Sequence, residues 1–298
     1  MNENYETVRE LRRRLTRIGW GFFLYLAVME VLSFAAVFIP GEVPSTLVSY
    51  FLLYVVSPVF FWLVVRKLPK GHCRNTSLSV RALVRTAVVS VGTLELFAYV
   101  TNFAMILFEN VSGQTTTDVL QTATSSMPTW LYLVLVGVLA PLGEEFMFRR
   151  LLLDRVRPFG DHAAIWITAV AFGLFHMNLY QFFYATALGV LFAGVVVKTG
   201  KLWHSVVLHS AVNLLSALLS SVSLLSDFAT IAVLVVVITL MIYAVWAILH
   251  FSKSYSFDPP QYPATNQQVA MAAVRSVGLW VCTAAAMIGG VAIIFIAY

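Results

Sequence analysis

Charge is what this 298-residue sequence has least of. Asp, Glu, Lys and Arg together make up only 11% of it, about half the share a soluble domain carries. With 60% hydrophobic residues and a mean hydropathy of +0.84, a soluble globular domain is excluded and a polytopic membrane protein is implied. Cysteine is nearly absent. Cys73 and Cys282 form no spacing motif, which leaves no basis for a disulfide framework or a cysteine metal site. Strand-like alternation is missing too: the apolar runs are long and continuous, so they are helices rather than barrel strands. The opening stretch, MNENYETVRELRRRLTRI, is polar and basic. It has no short apolar core with a cleavage site, so no cleaved signal peptide is expected.

What is there is a series of apolar segments, at 19–39, 46–65, 82–108, 128–146, 163–179, 181–197, 202–225, 228–250 and 276–297. Each approaches the roughly 20 residues that a span requires. The expected fold is an all-α polytopic membrane protein of about eight to nine transmembrane helices. The 19 Lys and Arg residues all fall in alternate connections or at their edges. None lies around 40–45, 109–127, 179–181 or 226–227. That asymmetry predicts a cytoplasmic N-terminus. It also explains the net charge of +5 without nucleic acid: the partner of these cations is the lipid bilayer. Three regions are expected. Residues 1–125 hold three spans, 126–225 hold four, and 226–298 hold the last helices around a polar, proline-containing cytoplasmic loop at 252–274. No internal repeat is visible.

Ionisable groups inside spans are costly, so each invites a functional explanation. They are Glu30, Glu95, Glu144, Glu145, His176 and His209. Glu145 and Arg149 lie four apart and can pair on one helix face. Glu144 is rotated by about 100° from its neighbour and is free to point elsewhere. His176 sits in FGLFHMN with Phe172 one turn back, and His209 has Asn213 one turn on. Each has an ordinary structural explanation: an interfacial ion pair, a packed histidine, interhelical hydrogen bonding. Together, on successive hydrophobic elements, a carboxylate, two imidazoles and an amide are what hydrolysis of an amide by water requires: a base for the water and donors for the developing oxyanion.

These residues resemble the CAAX prenyl endopeptidase and bacteriocin-processing family (CPBP, or Abi) of intramembrane proteases. Its motifs are matched in order by Glu144, Glu145 and Arg149, by Phe172 and His176, and by His209 and Asn213. Gly189, Thr199–Gly200 and Trp203 also stand in familiar places, and the resemblance covers about 125–225. It implies an intramembrane endopeptidase in which Glu144 activates water, His176 shares that role, His209 and Asn213 bind the oxyanion, and Glu145, Arg149 and Phe172 support them. The substrate would be a peptide or membrane-associated protein. No cofactor is expected under the glutamic mechanism. The same chemistry allows a minority alternative, zinc held by Glu144, His176 and His209, which is disfavoured because Asn213 suits an oxyanion better than a metal.

Two further alternatives stay open. One is a proton-coupled transporter using Glu30 and Glu95 with the histidines; it is disfavoured because no second copy of the cluster exists. The other is a catalytically silent scaffold or immunity protein of the same family. The composition and the lack of added domains point to a multi-pass protein of a bacterial cytoplasmic membrane. Oligomeric state is not encoded in any feature of the chain.

Overall fold

The computed structural model describes residues 2–71, 74–116, 118, 127–251, 257–258 and 264–296, and among them every regular element is helical. The elements are α1 (Asn2–Ala36), α2 (Glu42–Val65), α3 (Val80–Ser112), α4 (Thr129–Phe159), α5 (Asp161–Phe175), α6 (Leu179–Thr199), α7 (Leu202–Ser223), α8 (Asp227–Phe251), α9 (Asn266–Val274) and α10 (Val277–Ile296). Seven are long and apolar enough to cross a membrane; α9 and α10, bent by 60° at their junction, make an eighth if counted as one span.

Three differences from the expected segments have physical causes. α1 begins at Asn2, because its basic first turns bury an apolar stripe of Leu11, Leu15 and Ile18. α5, expected as a full span, has 15 residues, about 22 Å. It starts at Asp161, which is buried and bridged to Asp258 through two backbone-centred hydrogen bonds. Part of the polar stretch at 252–274 is α9, opened by a capping box between Thr265 and Gln268; residues 252–256 and 259–263, like Cys73, lie outside the described residues.

The helices pack around one principal core. α5 lies against α6, α3 against α8, and α1 against both α2 and α10. Phe22, Phe61, Phe148, Phe172 and Phe175 fill the centre. The basic residues do more than mark a side. Arg17 and Arg155 donate to the last carbonyls of α2, at Val64 and Val65. Arg157 and Arg150 donate to Val197 and Gly200 at the end of α6. Cations at helix C-termini satisfy carbonyls with no intrahelical donor and complement the helix dipole. Gly200 ends α6 at φ 71°, and a Cβ there would lie 1.6 Å from the Arg74 carbonyl oxygen; only glycine meets both conditions.

Candidate active site

α4 is not a regular helix. Residues 135–139 and 146–153 are wound as π-helix, and α2 has a π turn at 52–56. Such turns re-aim side chains at the expense of helix regularity, and often flank functional sites. Pro141 contributes to the first of them. The amide of Ala140 bonds five residues back, to Leu135. In the same register the partner of residue 141 would be the Val136 carbonyl, and proline has no N–H to give. That carbonyl is taken instead by the side chain of Asn213, whose Nδ2 donates at 2.8 Å. The amide on α7 is thus anchored to α4 through one hydrogen, and its second remains for another acceptor.

Glu144 and Glu145, expected to point apart, are both buried. Glu145 is fully enclosed. Its Oε2 accepts from Arg149 Nε at 2.8 Å and its Oε1 accepts from Arg149 Nη2 at 3.4 Å. The same Oε1 lies 3.2 Å from His209 Nδ1. Because Arg149 keeps that carboxylate an acceptor, Nδ1 is the protonated nitrogen. The other imidazole nitrogen, Nε2, faces Glu144 Oε2 at 3.8 Å. Glu144 Oε1 in turn accepts from the hydroxyl of Tyr54 at 2.8 Å. Hydrogen bonds therefore join Arg149, Glu145 and His209 in one group and Tyr54 and Glu144 in another, with 3.8 Å between His209 and Glu144. Glu145 stands to His209 as an orienting carboxylate stands to a catalytic imidazole, an arrangement that i,i+4 pairing alone did not disclose.

Tyr54 is the residue that sequence reasoning missed. It lies in an unbroken apolar run of α2, and nothing local marks it. The nearest signal is Gly143: a Cβ there would come within 2.5 Å of the Tyr54 ring, so the glycine beside the glutamates makes room for the phenol.

Phe172 joins the rest. Its ring lies 5.0 Å from that of His176 and 5.7 Å from that of His209, near perpendicular to both. The Arg149 guanidinium lies 5.4 Å from the same ring. That contact partly offsets Nη1, which is buried without a hydrogen-bond partner among the described residues. Phe192 closes the other side of His209 at 5.3 Å. His176 is not mid-helix. It follows the last residue of α5, and the chain turns back through Met177 at φ 41° before Asn178 caps α6. At that end the Phe172 carbonyl is held by His176 Nδ1 at 2.8 Å. A carbonyl only accepts, so Nδ1 carries the proton, and in the neutral ring Nε2 holds the lone pair.

Glu144, His176, His209 and Asn213 all line one cavity of about 450 Å³ enclosed by α1 to α7. Tyr54 and Phe172 share its wall, whereas Glu145 and Arg149 sit behind it. Among the described residues no three His, Cys, Asp or Glu side chains gather as ligands for one ion. Each histidine has Nδ1 engaged, which leaves Nε2 as the nitrogen open to a ligand.

Residues 126–215 match the family model of type II CAAX prenyl endopeptidases, Rce1-like. Over this segment the chain is similar to type II CAAX prenyl endopeptidases. The Rce1-like match spans α4 to α7, the elements that carry every motif residue of the site. Comparison with curated proteins and with solved structures gives no match. With seven or eight helices long and apolar enough to cross a membrane among the described residues, the chain is a multi-pass membrane protein, and the family it resembles over that segment is one of proteases.

Proposed function

We propose that the protein is an intramembrane endopeptidase that hydrolyses a peptide or membrane-protein substrate with water activated by Glu144. The observation that carries this is the place of Glu144 on the cavity wall, where it accepts a hydrogen bond from Tyr54 and lies 3.8 Å from the His209 that contacts Glu145. Water attacks the scissile carbonyl carbon as Glu144 takes its proton. The oxyanion of the tetrahedral intermediate is held by the second amide hydrogen of Asn213 and by His209 in its imidazolium form, in which Nδ1–H stays on Glu145 and Nε2–H is also present. Collapse breaks the C–N bond, and the proton passes to the leaving amine, with His176 Nε2 as relay. The products are a carboxylate and an amine, so the atoms balance without a metal or cofactor.

Supports for this division are chemical. Glu145 is committed to Arg149 and His209 and is closed off from the cavity, which suits it to orienting rather than to proton transfer. The N-terminus would lie in the cytoplasm of a bacterial cell, as the basic asymmetry suggests. The test is comparative peptidomics of membranes from cells making the wild-type protein or Glu144→Gln. Peptides that vanish only in the variant are the expected result; identical peptide sets would overturn the reading. Metal content is checked on the same preparations. The glutamic mechanism expects no stoichiometric zinc and activity that survives chelators, whereas one tightly bound zinc lost in His176→Ala would reverse it.

A further inference from the structure

The cavity wall holds a carboxylate that the proposed chemistry does not use. Glu30, on α1, lines the same space as Glu144. It is exposed, and it makes no hydrogen bond or ion pair with any described residue. A second unused carboxylate stands just behind: Ser216, on the wall, donates to Glu95 Oε1 at 3.3 Å. Against these, no described residue lining the cavity is Lys or Arg. The arginine nearest the site, Arg149, is already neutralised by Glu145. The remaining polar wall is rich in phenols, with Tyr50, Tyr132 and Tyr184 alongside Tyr54. A carboxylate left unpaired when a hydrophobic substrate covers it is costly unless a cation meets it. Tyrosine rings favour cations over their faces and anchor them with hydroxyl oxygens.

We infer that Glu30 is a specificity residue that receives a cationic side chain of the substrate, Lys or Arg, placed close to the scissile bond. This rests on the proposed protease function and names the class of substrate it would take. Lys and Arg suit the position because their apolar stems pack along such a wall while the charged head reaches the acid. A compact space of 450 Å³ is about 10 Å across, which an extended chain covers in about three residues. The cation therefore lies within about three residues of the bond cleaved. An anionic or purely apolar segment would leave Glu30 uncompensated.

The test uses the full-length protein in liposomes with a pooled library of synthetic hydrophobic peptides carrying one variable position at each offset from the centre. Products are read by mass spectrometry. Wild type should favour Lys and Arg at one fixed offset by about tenfold or more, the scale of one hydrogen bond between charged groups. Glu30→Gln should bring that preference to within about twofold, and Glu30→Lys should transfer it to Asp and Glu at the same offset. Preference is a ratio within one sample, so a lower yield of folded variant does not move it. Cleavage that requires Glu144 but has the same profile in all three proteins would overturn the role of Glu30 alone. Cleavage that persists in Glu144→Gln would overturn the protease reading beneath it.

Discussion

α4 and α8 are both spans, and they solve the membrane problem in opposite ways. Half of the most apolar stretch of α4 is buried inside the protein, at a mean hydropathy of 1.7; for α8 the share is 17%, at 2.8. α8 carries ionisable groups only at its ends, Asp227 and His250, apart from the phenol of Tyr243. α4 carries Glu144, Glu145, Arg149 and Arg150 along its length and is twice wound into π turns. The difference teaches where a membrane helix tolerates charge. Facing lipid, every polar group lacks a partner. Facing protein, Glu145 is held by a guanidinium and an imidazole and Glu144 by a phenol, supplied by other turns and other helices.

The contrast breaks most visibly if one partner is removed from α4. Arg149→Met should leave Glu145 as a lone buried carboxylate, at a cost of about 3–5 kcal/mol. It should also disorder His209, so the unfolding temperature in detergent and the turnover per folded molecule should both fall. Turnover intact in the folded fraction would show that Glu145 does not orient His209. Next comes the same substitution on the two helices. Phe148, on α4, is fully buried and Phe228, on α8, is 82% exposed. Phe148→Ala should cost about 3–5 kcal/mol, and Phe228→Ala should stay within about 0.5 kcal/mol. Equal unfolding temperatures for the pair would contradict the burial contrast.

Gly143→Ala comes third. The added methyl should push the Tyr54 ring off Glu144 and cost about 1–3 kcal/mol through overpacking, with a turnover loss exceeding that of Tyr54→Phe. Tyr54→Phe is the smallest change. It deletes one hydrogen bond to Glu144, worth about 1 kcal/mol or somewhat more, and should lower turnover about fivefold to tenfold with little effect on folding. If Tyr54→Phe proves as damaging as a loss of Glu144, Tyr54 acts directly on the substrate and not through Glu144.

Much of this was legible in residue order. The spans announce themselves by apolar length, and Glu144, His176, His209 and Asn213 by being polar where lipid forbids it. What was not legible depends on turns that local pattern does not encode. The π winding at 135–139 and the missing donor of Pro141 together redirect Asn213 to Val136. The i,i+4 spacing revealed Glu145 with Arg149 but not its contact with His209, 64 residues away. Tyr54 is a phenol in an apolar run, a common interfacial residue, and only the approach of α2 to Gly143 gives it a partner. The 15-residue length of α5 was hidden because the apolar run continues across the His176 turn into α6.

The central claim is that Glu144 is the base and Glu145 its indirect support. It is tested most directly by turnover of the peptide pool by purified Glu144→Gln, alongside its thermal unfolding in the same detergent. The account predicts a loss of about 10²–10⁴ in turnover at an unfolding temperature equal to or above that of wild type. Turnover close to wild type in a folded Glu144→Gln protein would contradict it.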